Sequence, residues 1–160
     1  MKRIPVVAVL TLLILALRPS PASADITAFF GVSPTPATRT TEGVAIGISL
    51  IVVGFEFEYG KTKQDDPTAS PALTTGMGNL MVMTPTNKVQ LYATTGGGIF
   101  HETYRTIGTT NFATNLGGGV KMALAGPIRL RLDYRVFKLN GTSTIYKTVQ
   151  RMYGGLSLSF

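Results

Sequence analysis

The sequence predicts an all-β protein: eight antiparallel strands in an up-and-down barrel, preceded by a short leader. Three observations predict it. From Ile26 onward the apolar residues recur with a period of two, the joins between alternating segments are long and short by turns, and no long amphipathic helix intervenes. A period of two is that of a strand, whose successive side chains point to opposite faces.

The leader comes first. Lys2 and Arg3 open the chain, an apolar run from Ile4 to Leu17 is broken only by Pro5 and Thr11, and Ala22-Ser23-Ala24 offers a small-residue cleavage site. These are the three parts of an export signal, and the run is too short to cross a bilayer as a helix. Cleavage is expected after Ala24, leaving a signal peptide over 1–24 and one barrel domain over 25–160. Removing Lys2, Arg3 and Arg18 from the fifteen Lys and Arg leaves twelve against eight acidic residues, a net charge of +4. That charge is diffuse, with no basic run interleaved with aromatics, so no nucleic-acid partner is expected. The chain has no cysteine and one histidine. An exported domain without disulfides needs another source of stability, and thiolate or multi-histidine metal sites are excluded. No cofactor is expected.

The strands follow in order. Ile26 to Val32 is the first and is less regular. Val44, Ile46, Ile48 and Leu50 then alternate with Ala45, Gly47 and Ser49, and Phe55, Phe57 and Tyr59 alternate with Gly54, Glu56 and Glu58. Gly78 to Thr84 and Val89 to His101 are the fourth and fifth, again less clean. In the sixth, Leu116, Gly118, Val120, Met122 and Leu124 alternate with Asn115, Gly117, Gly119, Lys121 and Ala123. The seventh is the clearest. Ile128, Leu130, Leu132, Tyr134 and Val136 share one face, and Arg129, Arg131, Asp133 and Arg135 share the other. A helix would scatter these charges; a strand separates them completely. In the last, Leu156, Leu158 and Phe160 alternate with Gly155, Ser157 and Ser159.

Short joins are expected near Leu50 to Gly54, at Pro85 to Lys88 and at Ala125 to Pro127. Longer polar joins are expected at Ser33 to Gly43, Lys61 to Thr75, Arg105 to Asn111 and Asn140 to Lys147. Long and short joins at alternate ends are the rhythm of a transmembrane barrel.

Alternation alone does not say which face looks inward. A soluble barrel fills its interior with bulky apolar groups. Here the polar-face set is rich in Gly, Ala and Ser with a few charges, which suits a narrow lumen, while Leu, Ile, Phe and Tyr suit lipid. Slipping the Ile128–Val136 strand by one residue would turn three arginines toward lipid, at ~2–4 kcal/mol each near mid-membrane. That is comparable with a domain's net stability of about 5–15 kcal/mol, so the register is strongly specified. The fold class is therefore an eight-stranded antiparallel up-and-down transmembrane β-barrel after a cleaved signal peptide.

Charges inside such a barrel must pair or reach water. The parity points Glu56, Glu58 and Asp133 inward with Lys121, Arg129, Arg131 and Arg135, and a lumenal ion-pair network is expected in which the two glutamates face the arginines of the seventh strand.

The segments L-G-G-G-V-K-M-A-L (116–124), I-R-L-R-L-D-Y-R (128–135) and the closing Y-G-G-L-S-L-S-F (153–160) resemble the small outer-membrane β-barrel domains, similar to the OmpA transmembrane domain and OmpX, over essentially all of 25–160. The terminal aromatic, with Leu156, Leu158 and Phe160 on one face, resembles the assembly signal of such barrels. The resemblance implies a Gram-negative outer-membrane location with both ends in the periplasm. It also implies outer-membrane lipids and lipopolysaccharide as surroundings, and the barrel-assembly machinery as a partner through the C-terminal strand. A monomer is expected, and the peptidoglycan-binding role of the longer relatives is not implied.

Other motifs read more simply. Gly96-Gly97-Gly98 and Gly117-Gly118-Gly119 lack the Lys-Ser/Thr and the strand–helix setting of a phosphate loop, and thin the strands where side chains crowd. His101, followed by Glu102 and Thr103, lies near a predicted outer loop; Ser70, Asp65 and Asp66 lie in another. Asp65-Asp66-Pro67 reads as a turn before it reads as a cation site. Arg39, Lys61, Lys63, Arg105 and Lys147 flank outer loops, as solvated charges or as contacts to lipopolysaccharide phosphates. The expected function is that of a non-enzymatic structural or surface-interaction barrel whose lumen is filled by side chains. Two alternatives remain: a lipid-modifying enzyme on the same barrel, which needs His101 beside a hydroxyl and a carboxylate, and a soluble periplasmic lipocalin-like carrier, which needs the bulky residues inside.

Overall fold

Along the strands Val53–Thr62, Ala72–Met83, Ile128–Asn140 and Thr148–Ser159 burial alternates almost residue by residue, and most of the charged side chains of these strands lie on the buried face. The computed structural model describes residues 22–141 and 146–160. Residues 1–21, most of the expected leader, lie outside the described residues, and the first strand already begins at Ser23. The described residues form β1 (Ser23–Ser33), β2 (Arg39–Leu50), β3 (Val53–Thr62), β4 (Ala72–Met83), β5 (Val89–Tyr104), β6 (Ile107–Ala125), β7 (Ile128–Asn140) and β8 (Thr148–Ser159). Each pairs antiparallel with the next, and β8 pairs with β1 to close the ring. Closure leaves no sheet edge along the wall, so the strand backbones satisfy one another around the circumference.

The seventh strand shows which face is inside. Arg131 and Arg135 are fully buried, while Leu132 and Tyr134 between and beside them are 45% and 42% exposed. Ile46, Phe57, Leu116 and Leu156 face outward on four other strands. This is the reverse of a soluble carrier, whose bulky residues would line the interior.

The joins confirm the rhythm with one correction. Ile51-Val52 and Gly126-Pro127 are two-residue turns, and the β4–β5 turn spans residues 84–88 at the same end. Ile51 makes the first turn at φ 54°, a left-handed conformation that a β-branched residue rarely adopts, which is why the turn lacks ordinary turn chemistry in sequence. At the opposite end residues 34–38 and 63–71 form longer joins, and the expected join over Asn140 to Lys147 lies partly outside the described residues. The expected long join over Arg105 to Asn111 is instead a two-residue turn, Arg105-Thr106, with Arg105 at φ 55°. The Thr- and Asn-rich stretch that reads as loop continues the ladder, Tyr104 opposite Ile107 and His101 opposite Thr110. Threonine is a good strand former, and that preference decides the segment.

The lumen is layered. Toward the long-join end Leu73, Met77, Phe100, Ala113, Phe137, Leu139 and Val149 form an apolar plug. Below it lies a band of charges, and nearer the short-join end a smaller group of Met81, Met83 and Tyr92. Two glycines make room for the band. A Cβ on Gly119 would stand 2.5 Å from the Tyr92 hydroxyl oxygen and 2.8 Å from the ring carbon that bears it, and one on Gly117 would stand 2.7 Å from Cγ of Arg135. The glycine run of β6 thus thins the wall under large lumenal side chains. Replacing Gly119 with Val should crowd both the Leu132 carbonyl oxygen, 2.1 Å from the added Cβ, and the Tyr92 ring, and lower folding stability by at least ~1–3 kcal/mol through overpacking, read as a reduced urea midpoint for refolding into detergent or lipid.

Candidate functional site: a charged brace across the lumen

β3 and β7 stand four strands apart in a ring of eight, on opposite walls. Two-residue periodicity aims Glu56 and Glu58 inward from β3 and Arg131, Asp133 and Arg135 inward from β7, and the barrel is narrow enough for them to meet. Arg131 grips Glu56 through both terminal nitrogens, with Nη2 3.2 Å from Oε1 and Nη1 bonded to Oε2. Arg135 donates from Nη2 to the same Oε1 at 2.7 Å, and its Nη1 lies 3.2 Å from Glu58 Oε2. Asp133 accepts from both arginines, 3.0 Å from Arg131 Nη2 and 2.9 Å from Arg135 Nε. The side chains of these five residues are wholly shielded from solvent.

Two tyrosines and a further arginine complete the brace. Tyr92 donates its hydroxyl hydrogen to Asp133 and accepts from Arg131 Nε at 2.8 Å. Tyr153 donates to Glu58 at 3.0 Å, and its ring stacks on Phe29 with centroids 4.1 Å apart. Arg151 donates to the other Glu58 oxygen at 2.9 Å and lies over the Phe137 ring, 4.5 Å from its centroid. Arg135 and Arg151 are direct cross-strand neighbours. Like charges so placed repel, and Glu58, bound to both, is what permits it.

Among the residues expected to meet, Lys121 and Arg129 stand apart from the brace. Lys121 forms an ion pair with Asp25 nearer the short-join end. Arg129 is not part of the network: it lines the mouth of the barrel at that end, half-buried, with no ion pair among the described residues. It is the first inward residue after the Gly126-Pro127 turn, below the level of the two glutamates. Asp25, Arg151, Tyr92 and Tyr153 were not anticipated. Carrying the alternation of the last strand back from Ser157 and Gly155 reaches Tyr153 and Arg151, and the Ile26–Val32 alternation carried back reaches Asp25. Tyr92 had no comparable signal, because the glycine run of β5 blurs its parity.

The loop residues divide. Arg39 is buried inside the barrel and donates to the Pro71 carbonyl, so it is neither a solvated loop charge nor a contact for an outside phosphate. Lys61, Lys63, Arg105 and Lys147 are exposed. Asp65 accepts from Thr68 Oγ1 at 2.5 Å and bridges to Ser70 through the backbone, while Asp66 accepts from Gln64 at 2.5 Å; the acidic pair is a turn. His101 faces outward, its Nδ1 2.7 Å from Thr110 Oγ1. Glu102 is buried on the opposite face of β5, so it cannot orient that ring. Leu156 and Leu158 lie on the outer face of β8, and Phe160 beyond them is exposed and exchanges two backbone hydrogen bonds of 2.9 Å with Ala24.

An eight-stranded antiparallel barrel with a charged, filled lumen and an apolar exterior is the architecture of the small outer-membrane barrels. The chain is similar in structure to Neisserial surface protein A (NspA), with a TM-score of 0.70 at 14% identity, covering 89% of this chain and 99% of that one. It is similar to the N-terminal β-barrel domain of Pseudomonas aeruginosa OprF, with a TM-score of 0.67 at 17% identity over 89% of this chain and 100% of that one. It is also similar to the outer membrane enzyme PagL, with a TM-score of 0.56 at 10% identity over 84% of this chain and 98% of that one. No family model and no curated protein matches the sequence. At these identities the likeness is one of fold.

The brace carries a clear energetic signature. Glu56→Gln should leave Arg131 and Arg135 short of a buried counter-charge and cost ~3–5 kcal/mol, whereas Arg129→Gln should change stability by less than about 0.5 kcal/mol. Equilibrium unfolding of the two variants beside the parent checks both. In a double-mutant cycle on Glu56 and Arg131, a coupling of about 0.5–3 kcal/mol is expected.

Proposed function

We propose that the chain is an integral β-barrel of the outer membrane with a structural or surface-interaction role, not an enzyme. The observation that carries this reading is the outer wall. Large apolar side chains cover it on every strand, Phe57 and Leu116 exposed by 59% and 66%, while the strand charges of the brace are withdrawn inside. In water such a belt far exceeds the apolar patches that soluble monomers tolerate. In a bilayer it is the lipid contact, and the closed ladder meets the demand that no strand backbone group face hydrocarbon unpaired. The similarity to NspA and to the OprF domain supports the same placement.

The other parts of the reading follow from it. A leader cleaved after Ala24 would deliver the chain to the periplasm, with β1 then starting at Asp25. Leu156, Leu158 and Phe160 form an apolar strip that would engage the assembly machinery. Lys61, Lys63, Arg105 and Lys147 at the long-join end would face lipopolysaccharide phosphates. The apolar plug and the brace fill the lumen and argue against a general pore. One ring closed by one chain supports a monomer.

The similarity to PagL and the contact of His101 with Thr110 keep a lipid-modifying reading in view. It lacks its third member, since Glu102 points the other way.

Two measurements test the proposal. The protein should be extracted only with detergent and should migrate differently on gels before and after heating; recovery as a freely soluble species would end the membrane assignment. Leu132→Arg should cost ~2–4 kcal/mol when folding is measured in lipid bilayers, and an exposed leucine on a soluble barrel would show almost no such cost.

A further inference from the structure

At the short-join end the lumen opens into a polar recess of about 120 Å³, lined among others by Asp25, Ser49, Asn87, Gln90, Arg129 and Ser159. Its charge balance is uneven. Glu56, Glu58 and Asp133 are held by Arg131, Arg135 and Arg151, and Asp25, the carboxylate that reaches the recess, is held by Lys121. Four carboxylates are thus matched by four cations, and Arg129 is the cation left over. Its guanidinium has no ion pair or side-chain hydrogen bond among the described residues, although it stands in a concave site ringed by hydroxyls and amides. A planar guanidinium with donors free in a partly enclosed site favours an oxyanion, which it can bind through two parallel hydrogen bonds. The space suits one: a single water needs ~10–15 Å³ of such a cavity, so the recess takes a group the size of several waters.

We propose that this mouth recess is an oxyanion site centred on Arg129, and that it takes a phosphate group. The Ser159 hydroxyl and the Asn87 amide supply further donors to the phosphate oxygens, the Gln90 amide keeps one hydrogen beyond its bond to the Thr84 carbonyl, and Lys121 screens the Asp25 charge that would otherwise repel them. The phosphate has two possible sources at this end of the barrel, a phospholipid headgroup or free inorganic phosphate. The site is built from the ends of the strands and their turns, so it stands whether or not the outer wall meets lipid.

The test uses the full chain refolded in octyl glucoside, a detergent without phosphate. Inorganic phosphate and short-chain phosphatidylglycerol are titrated separately and followed by phosphorus-31 resonance. Binding of at least one should weaken tenfold or more in Arg129→Gln and equally in Asn87→Asp, which places a negative charge on the facing turn. Lys88→Gln, an exposed cation outside the recess, should bind as the parent does. Loss confined to inorganic phosphate assigns a soluble ligand, and loss confined to phosphatidylglycerol assigns a headgroup. Equal binding by parent and Arg129→Gln, or an equal loss in Lys88→Gln, overturns the proposal. Heat-modifiable mobility of each variant establishes that the barrel is intact.

Discussion

Eight strands closed into a ring enclose very little room, and whatever points inward has to be accommodated by what points inward from the opposite wall. That constraint organises the molecule. A glutamate on β3 cannot remain hydrated at mid-lumen, so it must find a cation, and among the described residues its ion pairs are with arginines of β7 and β8. The ladder therefore fixes the strands laterally while the charge brace ties them across the diameter. Desolvation makes the brace expensive to assemble and still more expensive to leave incomplete. Its stabilising share is accordingly best understood as specificity: a strand shifted by one residue would turn its share of the brace outward and an apolar row inward.

Glycine placement is the second half of that arrangement. Tyr92 and Arg135 are large, and they come close to the inner wall at Gly119 and Gly117, where no side chain stands in their way. The wall is thinned where the contents are bulky. The same glycine run that suggests a phosphate loop in isolation is, in its place on β6, packing geometry.

Much of this can be read from the chain, because period-two alternation assigns a face to each residue without knowledge of its neighbours. The inward set on β3 and β7 follows from parity alone, and so do the outward leucines of β7. What parity cannot supply is height. Lys121 and Arg129 share the inner face with Glu56, yet they lie at lower levels of the lumen, and only the strand stagger reveals it. Composition misled at Arg105 to Asn111, where polar residues continue a strand, and at Ile51, where a β-branched residue makes a turn. Arg39 looked like a loop charge because its strand begins earlier than its apolar alternation does.

The strand that replaced the expected loop gives the barrel an uneven rim. β6 runs from Ile107, while its last pairing with β7 is Phe112 opposite Asn140, so about five residues, or ~16 Å along the strand, climb above that neighbour. A two-residue turn caps them. Among the described residues, that end of the barrel thus carries a ladder-built ribbon rising past β7, while 34–38 and 63–71 join their strands outside the ladder. A binder approaching from that side would read a fixed surface first, and peptide insertions would be absorbed far better by the shorter shoulders than by the crest.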